Sequence, residues 1–362
     1  MKIAFVHEYL NQYGGAERVL QVLCAMFPRA PIYTAVYDPV ATGGVFEGRI
    51  IRTSFLQRVP LAKRYHHAFS MLMPYAFEQF DTSSFDVVFS ISASFAKGII
   101  TKPNVRHICY CLTPPRFLWD GSQKFVQEFG YPALVRKAIA PLLSYLRIWD
   151  RHAAYRVGEF VAISRHVGQR IEKYYQRQSP VIYPPVNVEK FQCISDTNSR
   201  AYFLMVGRLV AYKKFDLAIE ACTRLNLPLK IVGDGVALAR LKKIAGSTVE
   251  FLGQVGDETL AKLYQNARGL IFPQEEDFGI VPLEAMASGC PIIAFRGGGA
   301  EETVVDGVTG VFFDQQNVPS LMTALQDFEK RKFDPLACRT QAEKFDIAVF
   351  QKNILSLLTP NP

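Results

Sequence analysis

The sequence lacks several features that mark whole classes of protein. No stretch reaches the ~18 consecutive apolar residues that a membrane-spanning helix requires. No internal repeat of fixed period and no low-complexity segment is present, which argues against repeat and fibrous architectures. The chain has 362 residues, of which 49% are hydrophobic, and this is enough for two globular domains of ordinary size.

Cysteine and histidine are few, and their placement argues against metal and redox chemistry. The seven cysteines are odd in number and lie mostly in apolar runs, which is typical of a reducing compartment. Cys109 and Cys111 alternate along HICYCL, which favours core positions in a strand over a redox pair. The six histidines have no ligand spacing, no DxD pair follows a strand, and no GxSxG motif occurs. We therefore expect no metal ion, no other cofactor and no Ser-His-Asp catalysis.

Short apolar runs alternate with longer helical stretches along the whole chain. The runs with strand character are KIAFVHEY, DVVFSISA, HICYCL, FVAIS, AYFLMVG, LKIVGDG, TVEFLGQV, GLIFP and PIIAF. This alternation predicts βαβ units, and therefore parallel sheets in an α/β protein. The first run regains polarity at His7 and Glu8, which favours a buried strand over a signal peptide.

A domain boundary is predicted where paired prolines hold the chain extended. The segment VIYPPVNVEKF separates the strand-like runs of the first half from those of the second half. We therefore assign an N-terminal domain to residues 1–180 and a second domain to residues 181–340. The tail, residues 341–362, has helical periodicity and is expected to pack last.

The net positive charge of the chain comes entirely from its first half. Residues 1–180 contain 22 Lys and Arg against 12 Asp and Glu, a net charge of +10, whereas the remainder has 19 against 21. Two basic segments, Phe55–Phe69 and Pro132–Arg156, also contain Leu, Phe, Tyr or Trp, which is typical of a helix lying on an anionic membrane. The alternative is an ordinary amphipathic helix that packs on a sheet and exposes its basic face to solvent.

The most informative segment is Glu275–Pro291, EEDFGIVPLEAMASGCP. It follows the strand-like run GLIFP, Pro282 favours a helix start, and ASGCP ends the helix. Glu276 lies in the loop before this helix and Glu284 is expected in its first turn, so both carboxylates can reach one polyhydroxylated ligand. The early amides of the helix can face a phosphate or hydroxyl. Alternatively, Glu284 only complements the helix dipole, and Glu276 is a solvated loop residue.

Two further loops follow predicted strands. Arg208 and Lys213, in VGRLVAYKKFDLAI, precede a helix that begins near Phe215, and cations there suit a diphosphate in the absence of a metal. Gly14 and Gly15, in NQYGGAERVL, open a helix after the first strand and let the backbone approach a ligand. Taken alone, these loops are equally compatible with solvated basic residues and an ordinary turn.

The segment Glu275–Pro291 resembles the E-x7-E signature of the glycosyltransferase group 1 family, whose usual form is EGFGLPxLEAMAxGxPV. The stretch GRLVAYKK resembles the GRLxxxK motif of the same family, whose members are retaining enzymes with the GT-B fold. The resemblance implies two Rossmann-like domains with parallel sheets that face a central cleft, and a C-terminal helix that returns to the first domain. One departure is Asp277, which replaces the usual glycine.

The same resemblance implies roles for individual residues. One group would act in catalysis by holding the donor hexose and the leaving diphosphate, and its members are Glu276, Arg208 and Lys213. A second group would bind the donor, and its members are Gly14, Gly15, Phe278, Gly279, Ile280 and Glu284. Within that group Glu284 would bind the ribose.

The stretch CYCLTPPRFLWD, residues 109–120, resembles a subgroup of bacterial mannosyltransferases that act on O-antigen or exopolysaccharide precursors. Members often carry a histidine where this chain has Leu112, and leucine cannot hydrogen-bond a donor sugar. Candidates for acceptor-side groups are Lys97, Arg116 and Asp120, with surface ion pairs or loop anchors as the alternative. The resemblance favours GDP-mannose as the donor, with a UDP-sugar as the other possibility.

Together these features predict a metal-independent, retaining hexosyltransferase of cell-surface polysaccharide synthesis. It would move a hexose from a nucleotide sugar to a glycan or lipid-linked oligosaccharide. We expect it in the cytoplasm, at the inner face of the cell membrane, bound to that anionic surface through its basic N-terminal half. No nucleic-acid partner is expected. A nucleotide-sugar 2-epimerase of the same fold and a non-catalytic scaffold at the membrane surface remain as alternatives.

Overall fold

The computed structural model describes residues 1–120, 133–194 and 200–359, with residues 133–139 described by their backbone alone. The chain divides into two units, Met1–Tyr183 and Pro184–Pro362. Each unit is built on one parallel six-stranded sheet. The predicted α/β class, with two Rossmann-like domains, is therefore confirmed.

The sheet of the first unit has the strand order β3-β2-β1-β4-β5-β6, and each neighbouring pair is parallel. Its strands are β1 (Ile3–His7), β2 (Ile32–Thr34), β3 (Ile51–Thr53), β4 (Val87–Ser92), β5 (Arg106–Cys111) and β6 (Glu159–Ala162). The described helices are α1 (Gly15–Met26), α2 (Met73–Glu78), α3 (Ala133–Arg156) and α4 (Arg165–Tyr175). Short 3-10 turns lie at Phe55–Arg58, His66–Phe69 and Ala96–Gly98.

The sheet of the second unit has the order β12-β11-β10-β7-β8-β9 and is also parallel throughout. Its strands are β7 (Tyr202–Val206), β8 (Leu229–Val232), β9 (Val249–Gly253), β10 (Ala267–Phe272), β11 (Ile292–Phe295) and β12 (Gly310–Phe313). Its helices begin with α5 (Phe215–Arg224), α6 (Leu238–Ile244), α7 (Asp257–Gln265) and α8 (Ile280–Ala287). They continue with α9 (Ala300–Thr303), α10 (Val318–Glu329), α11 (Pro335–Glu343) and α12 (Ile347–Leu358).

The central strands are buried on both faces, as parallel strands between two layers of helices must be. Every residue of β1 and of β4 is buried, which explains why these runs are almost continuously apolar in the sequence. Helix starts follow the expected capping residues. The Ser164 hydroxyl accepts a hydrogen bond from the Val167 amide at 3.0 Å. The side-chain oxygen Oδ1 of Asn317 accepts one from the Ser320 amide at 2.9 Å.

The predicted amphipathic helix over Phe55–Phe69 is wrong. The segment forms two separate 3-10 turns, Phe55–Arg58 and His66–Phe69. Pro60 has no amide hydrogen to donate, and Leu61 adopts a φ of 65°, so a continuous helix cannot pass through these residues. The other basic segment does contain a helix, α3.

In both sheets the strand order reverses between two neighbouring central strands, β1 and β4 in the first unit and β7 and β10 in the second. Loops that leave the carboxyl ends of such a pair diverge to opposite sides of the sheet and leave a crevice where ligands bind in this class of fold. In the second unit these loops are residues 207–214 and 273–279, which contain the two predicted motifs. The helix α12 belongs to the second unit, and its predicted return to the first domain stays a prediction.

Candidate functional site

The reversal point of the second sheet brings Lys213 and Glu276 together. Lys213 ends a 3-10 turn, Ala211–Lys213, in the loop after β7, and Glu276 lies in the loop after β10. The ammonium of Lys213 donates to Oε1 of Glu276 in a part-buried ion pair. Gln274 Nε2 lies 3.4 Å from the same oxygen. Two residues that are 63 positions apart in the chain thus form one charged contact at the predicted site.

Arg208 leaves the same loop on the solvent side. Its side chain is exposed, and no hydrogen bond or ion pair of its guanidinium occurs within the described part of the chain. A planar guanidinium presents five N–H donors and remains charged at physiological pH. At the carboxyl edge of the sheet, the Arg208 guanidinium and the Lys213 ammonium can both bind an anionic ligand.

The loop that carries Glu276 packs against the glycines that follow β11. The Gly299 amide donates to the Glu276 carbonyl oxygen at 2.8 Å. A β-carbon on Gly299 would lie 2.3 Å from Cα and 2.4 Å from the carbonyl oxygen of Phe278, so no other residue fits without moving the loop. The run RGGGAEETV therefore sets the position of the acidic loop.

Helix α8 begins at Ile280, two residues before Pro282, which the sequence favours as the start. Gly279 precedes it with a φ of 87°, a conformation that glycine adopts without strain. The Phe278 side chain is buried, and its ring centroid lies 5.8 Å from that of Phe345. Phe278 can therefore contact a ligand through its backbone and not through its ring. The first four amides of a helix lack intrahelical acceptors, so the α8 start is compatible with an oxygen-rich ligand.

The expectation that Glu284 lies in the first turn is wrong, because the earlier helix start places it in the second turn. A dipole role at the helix start therefore explains this residue less well, since that effect falls off within one turn. Glu284 is only 5% exposed, and its Oε2 accepts a hydrogen bond from the Tyr264 hydroxyl at 3.1 Å. An ionised carboxylate has several acceptor positions, so Glu284 is a candidate acceptor for the hydroxyls of a ligand.

In the first unit, Gly14 precedes α1 and Gly15 is its first residue. The Gly14 amide donates to Glu17 Oε2 at 2.7 Å, while Glu17 Oε1 lies 3.2 Å from Nε2 of the buried His7. Burial raises the pKa of the Glu17 carboxyl, but the hydrogen bonds and charge of His7 and the backbone amides outweigh it and leave the pKa lowered. Glu17 therefore fixes the glycine loop to the end of β1.

The structure gives the three acceptor-side candidates different surroundings. Lys97 is only 1% exposed, and its ammonium donates to Asp150 and to the Ser94 carbonyl inside the first unit. Asp120 is exposed and pairs with Arg170. Arg116, in the same loop, is half-buried, and its carbonyl accepts the Asp120 amide at 3.1 Å. Lys97 and Asp120 thus take the anchoring arrangement that the sequence left as the alternative.

One organising residue escaped the sequence analysis. Both carboxylate oxygens of Glu8, which directly follows β1, accept hydrogen bonds from the last residue of β4 and the loop after it. The donors are the hydroxyls of Ser92 and Ser94 and the amides of Ala93, Ser94, Phe95 and Ala96, at 2.7–3.1 Å. Glu8 thereby joins the two loops at the reversal point of the first sheet. The only signal in the sequence is an acidic residue directly after an apolar strand.

Two searches of the described residues gave negative results. No group of three or more His, Cys, Asp or Glu side chains in the described ranges has an arrangement that would hold a metal ion. Among the helices that the structure describes, none combines the length and apolar character needed to cross a membrane.

Comparison with known proteins agrees with the geometry of the second unit. Residues 189–345 match the family model described as "Glycosyl transferases group 1". The chain is 30% identical over 172 residues to O-antigen chain mannosyltransferase C of Escherichia coli, which covers 43% of the chain and 46% of that protein. It is 29% identical over 195 residues to the GDP-mannose-dependent alpha-(1-6)-phosphatidylinositol monomannoside mannosyltransferase of Mycolicibacterium smegmatis, covering 46% and 51%. The chain spans about half, or less, of the length of the first curated relatives it matches.

Solved structures confirm the GT-B fold that the sequence predicts. The crystal structure of the Anabaena protein HepE in complex with UDP has a TM-score of 0.72 and 17% identity, and the match covers 99% of both chains. The structure of WaaG, a glycosyltransferase involved in lipopolysaccharide biosynthesis, has a TM-score of 0.65 and 17% identity, with 99% of this chain and 100% of that one covered. At this identity the likeness concerns the fold alone.

Proposed function

We propose that this chain, whose residues 189–345 match the model of glycosyl transferases group 1, transfers a hexose from a nucleoside diphosphate donor to a hydroxyl acceptor with retention at the anomeric carbon. The observation that carries this proposal is the contact between Lys213 and Glu276 at the reversal point of the second sheet. An acidic group for sugar hydroxyls and a basic group for phosphate lie side by side there, as the junction between a sugar and a diphosphate requires.

The proposed reaction needs little covalent chemistry from the protein. The acceptor hydroxyl oxygen forms a bond to the anomeric carbon on the face from which the diphosphate leaves, the bond from that carbon to the phosphate oxygen breaks, and the hydroxyl proton passes to a phosphate oxygen. Negative charge grows on the leaving diphosphate. Lys213 and the exposed Arg208 would stabilise it, which is commonly the largest contribution of such a site.

The remaining donor contacts follow from the position of each group. Glu276 with the backbone of Phe278, Gly279 and Ile280 would hold the hexose hydroxyls, and Glu284 would hold the ribose. On release of the donor, Lys213 would return to its contact with Glu276. Catalysis would need no metal, because the two cations supply the positive charge that a metal would otherwise provide.

GDP-mannose is the proposed donor. It is supported by the resemblance of residues 109–120 to mannosyltransferases and by the two relatives described above, both of which are mannosyltransferases and one of which is GDP-mannose-dependent. A UDP-sugar is the alternative, since HepE, with the same fold, binds UDP. The proposed acceptor is a glycan or lipid-linked glycan of cell-surface polysaccharide synthesis. Leu112 cannot supply a hydrogen bond to the mannose, so we propose that recognition of this sugar rests on the second unit.

We also propose that the first unit docks on the anionic inner face of the cell membrane. Between Glu47 and Glu78 the chain has five Lys and Arg residues and no Asp or Glu. Leu61, Tyr65 and Tyr75 lie in this stretch with 68%, 50% and 61% of their surface exposed. Exposed aromatic and aliphatic side chains among cations suit the interface of an anionic bilayer.

A donor screen tests the proposed function. Purified protein would be titrated with GDP-mannose, UDP-glucose and UDP-galactose while thermal unfolding is followed, and the preferred donor would then be supplied with lipid-linked glycan acceptors. The expected result is stabilisation by one nucleotide sugar, and transfer that Glu276→Ala lowers about 10²–10³-fold. Glu275→Ala is the matched control, because it removes the same charge from the neighbouring position. Absence of binding to every donor contradicts the proposal. Conversion of the donor to its 2-epimer in the absence of acceptor would identify an epimerase instead. Binding to liposomes without any affinity for nucleotides would identify a non-catalytic scaffold.

A further inference from the structure

Glu284 has a hydrogen-bond partner that no sequence motif indicates. The Tyr264 hydroxyl donates to its Oε2 at 3.1 Å, and the two residues are 20 positions apart. Tyr264 has no exposed surface and Glu284 is 5% exposed. The contact therefore lies inside the second unit, behind the carboxylate that we propose for the ribose.

The position of Tyr264 is fixed on two sides. It lies in the last turn of α7, and this end of the helix is held to β7 because the Tyr202 hydroxyl donates to the Leu263 carbonyl at 3.0 Å. The ring of Tyr264 packs edge to face against Phe191, with centroids 5.8 Å apart and an interplanar angle of 72°. Its hydroxyl therefore has little freedom to leave Glu284.

Arg339 links the backbone segments next to Tyr264 and Glu284. Its Nη1 donates to the carbonyls of Val188 at 2.9 Å and Ala287 at 3.0 Å, and also to the carbonyl of Phe191. Ala287 is the last residue of α8, the helix that carries Glu284. The segment that holds the Tyr264 ring is thus tied to the same helix as the carboxylate that Tyr264 contacts.

We propose that Tyr264 is a positioning residue that orients the Glu284 carboxylate toward the ribose hydroxyls of the donor, an inference that rests on the proposed function. The terminal torsion of a glutamate has a broad, weakly defined minimum, so a buried carboxylate needs a partner to fix its plane. A phenol supplies one donor, whereas an ionised carboxylate has about four acceptor positions. We assign one of these positions to the Tyr264 hydroxyl and propose others for the vicinal hydroxyls of a ribose.

Calorimetric binding of GDP and UDP, and of their 2′,3′-dideoxy counterparts, to the wild-type protein and to Tyr264→Phe tests the inference. The variant keeps the ring and its packing against Phe191 and loses only the hydroxyl. We expect affinity for the ribonucleotide to fall about 10-fold while affinity for the dideoxynucleotide is nearly unchanged, because only the former uses the oriented carboxylate. Tyr202→Phe, which also removes a hydroxyl bonded near the end of α7, should leave the ratio of the two affinities as in the wild type.

The outcomes separate the inference from the proposed function. A ribose-to-dideoxyribose ratio that is the same in Tyr264→Phe and the wild type would overturn the inference alone. A wild-type protein that binds nucleotides without preferring the ribose form would overturn the role of Glu284 and the inference with it, and one that binds no nucleotide would overturn the proposed function as well. In a Glu284→Ala background, adding Tyr264→Phe should cause less than a twofold further change, since the carboxylate that Tyr264 orients is already absent.

Discussion

The ammonium of Lys213 lies against the carboxylate of Glu276 where the strand order of the second sheet reverses. In this state the cation is neutralised by a group that we assign to the hexose and not to the diphosphate. A donor must therefore separate or share the pair, so its sugar and phosphate parts are recognised together. The two residues should then respond differently to ligands with and without the sugar.

Glu276→Ala is expected to weaken binding of the nucleotide sugar and to leave binding of the bare nucleoside diphosphate unchanged or tighter. The substitution removes the acceptor for the hexose hydroxyls and frees Lys213 for phosphate, whereas Lys213→Ala should weaken both ligands. Transfer by either variant should fall about 10²–10³-fold. Parallel calorimetric titrations and initial rates measure this. Equal losses for both ligands in Glu276→Ala would contradict the split, and Lys242→Ala, on the exposed face of α6, is the control for loss of a lysine.

Lys97→Met should destabilise the protein without changing acceptor recognition. The ammonium of Lys97 is paired with Asp150, which is wholly buried and also accepts hydrogen bonds from Trp119 Nε1 and the Tyr175 hydroxyl, each at 2.9 Å. Removing the cation strands a buried carboxylate, which costs about 3–5 kcal/mol of unfolding free energy. Urea unfolding measures this cost, and the KM for acceptor should stay within a factor of two. An altered acceptor KM with unchanged stability would instead support the acceptor-side role that the sequence predicts for Lys97.

An exposed ion pair in the sheet of the first unit supplies the control for that experiment. Arg106 and Glu159 join the neighbouring strands β5 and β6, and their side chains are 39% and 34% exposed. Glu159→Ala should cost less than about 1 kcal/mol, because solvent screens an exposed pair. Similar losses for the two pairs would mean that burial does not set the strength of the Lys97 contact.

The sequence predicted most of the sheet architecture because the long central strands are nearly continuous apolar runs. Three strands escaped prediction, β2, β3 and β12; β2 and β3 have only three residues each, too few to show a period. Helix α4 begins directly after Ser164, a residue type that favours helix starts and whose side chain caps this one. By contrast, the start of α8 was placed two residues late, because proline alone does not fix the first turn.

The candidate site was predictable only where its residues stand in motifs. Glu276, Lys213 and Arg208 are recognisable because they lie in loops between a strand and a helix. Residues that position other side chains are separated from them in the sequence. Tyr264 is 20 positions from Glu284, and Ser94 is 86 positions from Glu8. Such partners become visible only when the topology of the sheet brings the loops together.

Acid should destabilise the first unit through buried histidine. His107 is 2% exposed, its Nε2 lies 2.9 Å from the Ser90 hydroxyl, and burial, with a smaller effect of the Arg156 charge, lowers its pKa to about 4. Because the folded pKa lies below the unfolded value of about 6.5, the neutral ring favours folding above pH 6.5, and this stability is lost as the pH falls toward 4. The loss is on the order of 3 kcal/mol.

Urea unfolding at pH 7 and pH 4.5 measures the contribution of His107. In His107→Gln the difference in unfolding free energy between the two pH values should shrink, whereas His152→Gln, which replaces an exposed histidine, should leave it as in the wild type. An unchanged difference in His107→Gln would assign the acid sensitivity to other groups. The buried His66, whose pKa is lowered to about 4 by burial and then by the charge of His67, is the next candidate.

Gly299→Ala should reduce donor affinity more than it reduces stability. The new β-carbon would meet the Phe278 backbone at 2.3–2.6 Å, so the loop with Glu276 must move away. We expect a loss of nucleotide-sugar affinity of at least 10-fold, since displacement of a binding loop by even an ångström is costly. Gly256→Ala is the matched control, because nothing lies within 4 Å of its β-carbon. Donor affinity that survives Gly299→Ala would show that the position of this loop does not govern binding.

Reducing the charge of the exposed basic segment should weaken membrane binding while leaving transfer to a soluble acceptor intact. Lys63 and Arg64 directly precede the exposed Tyr65, and each cation near an anionic bilayer contributes on the order of 1 kcal/mol. Lys63→Gln/Arg64→Gln should therefore lower the partition coefficient on vesicles with 30% anionic lipid by about 10- to 50-fold. Lys242→Gln/Lys243→Gln removes two exposed cations from α6 and should have little effect. Binding by the wild type should also decline between 0.1 and 1 M salt, as the screening length falls from about 10 to about 3 Å. Equal binding by the two double variants would show that net charge, and not this segment, attracts the protein to the bilayer.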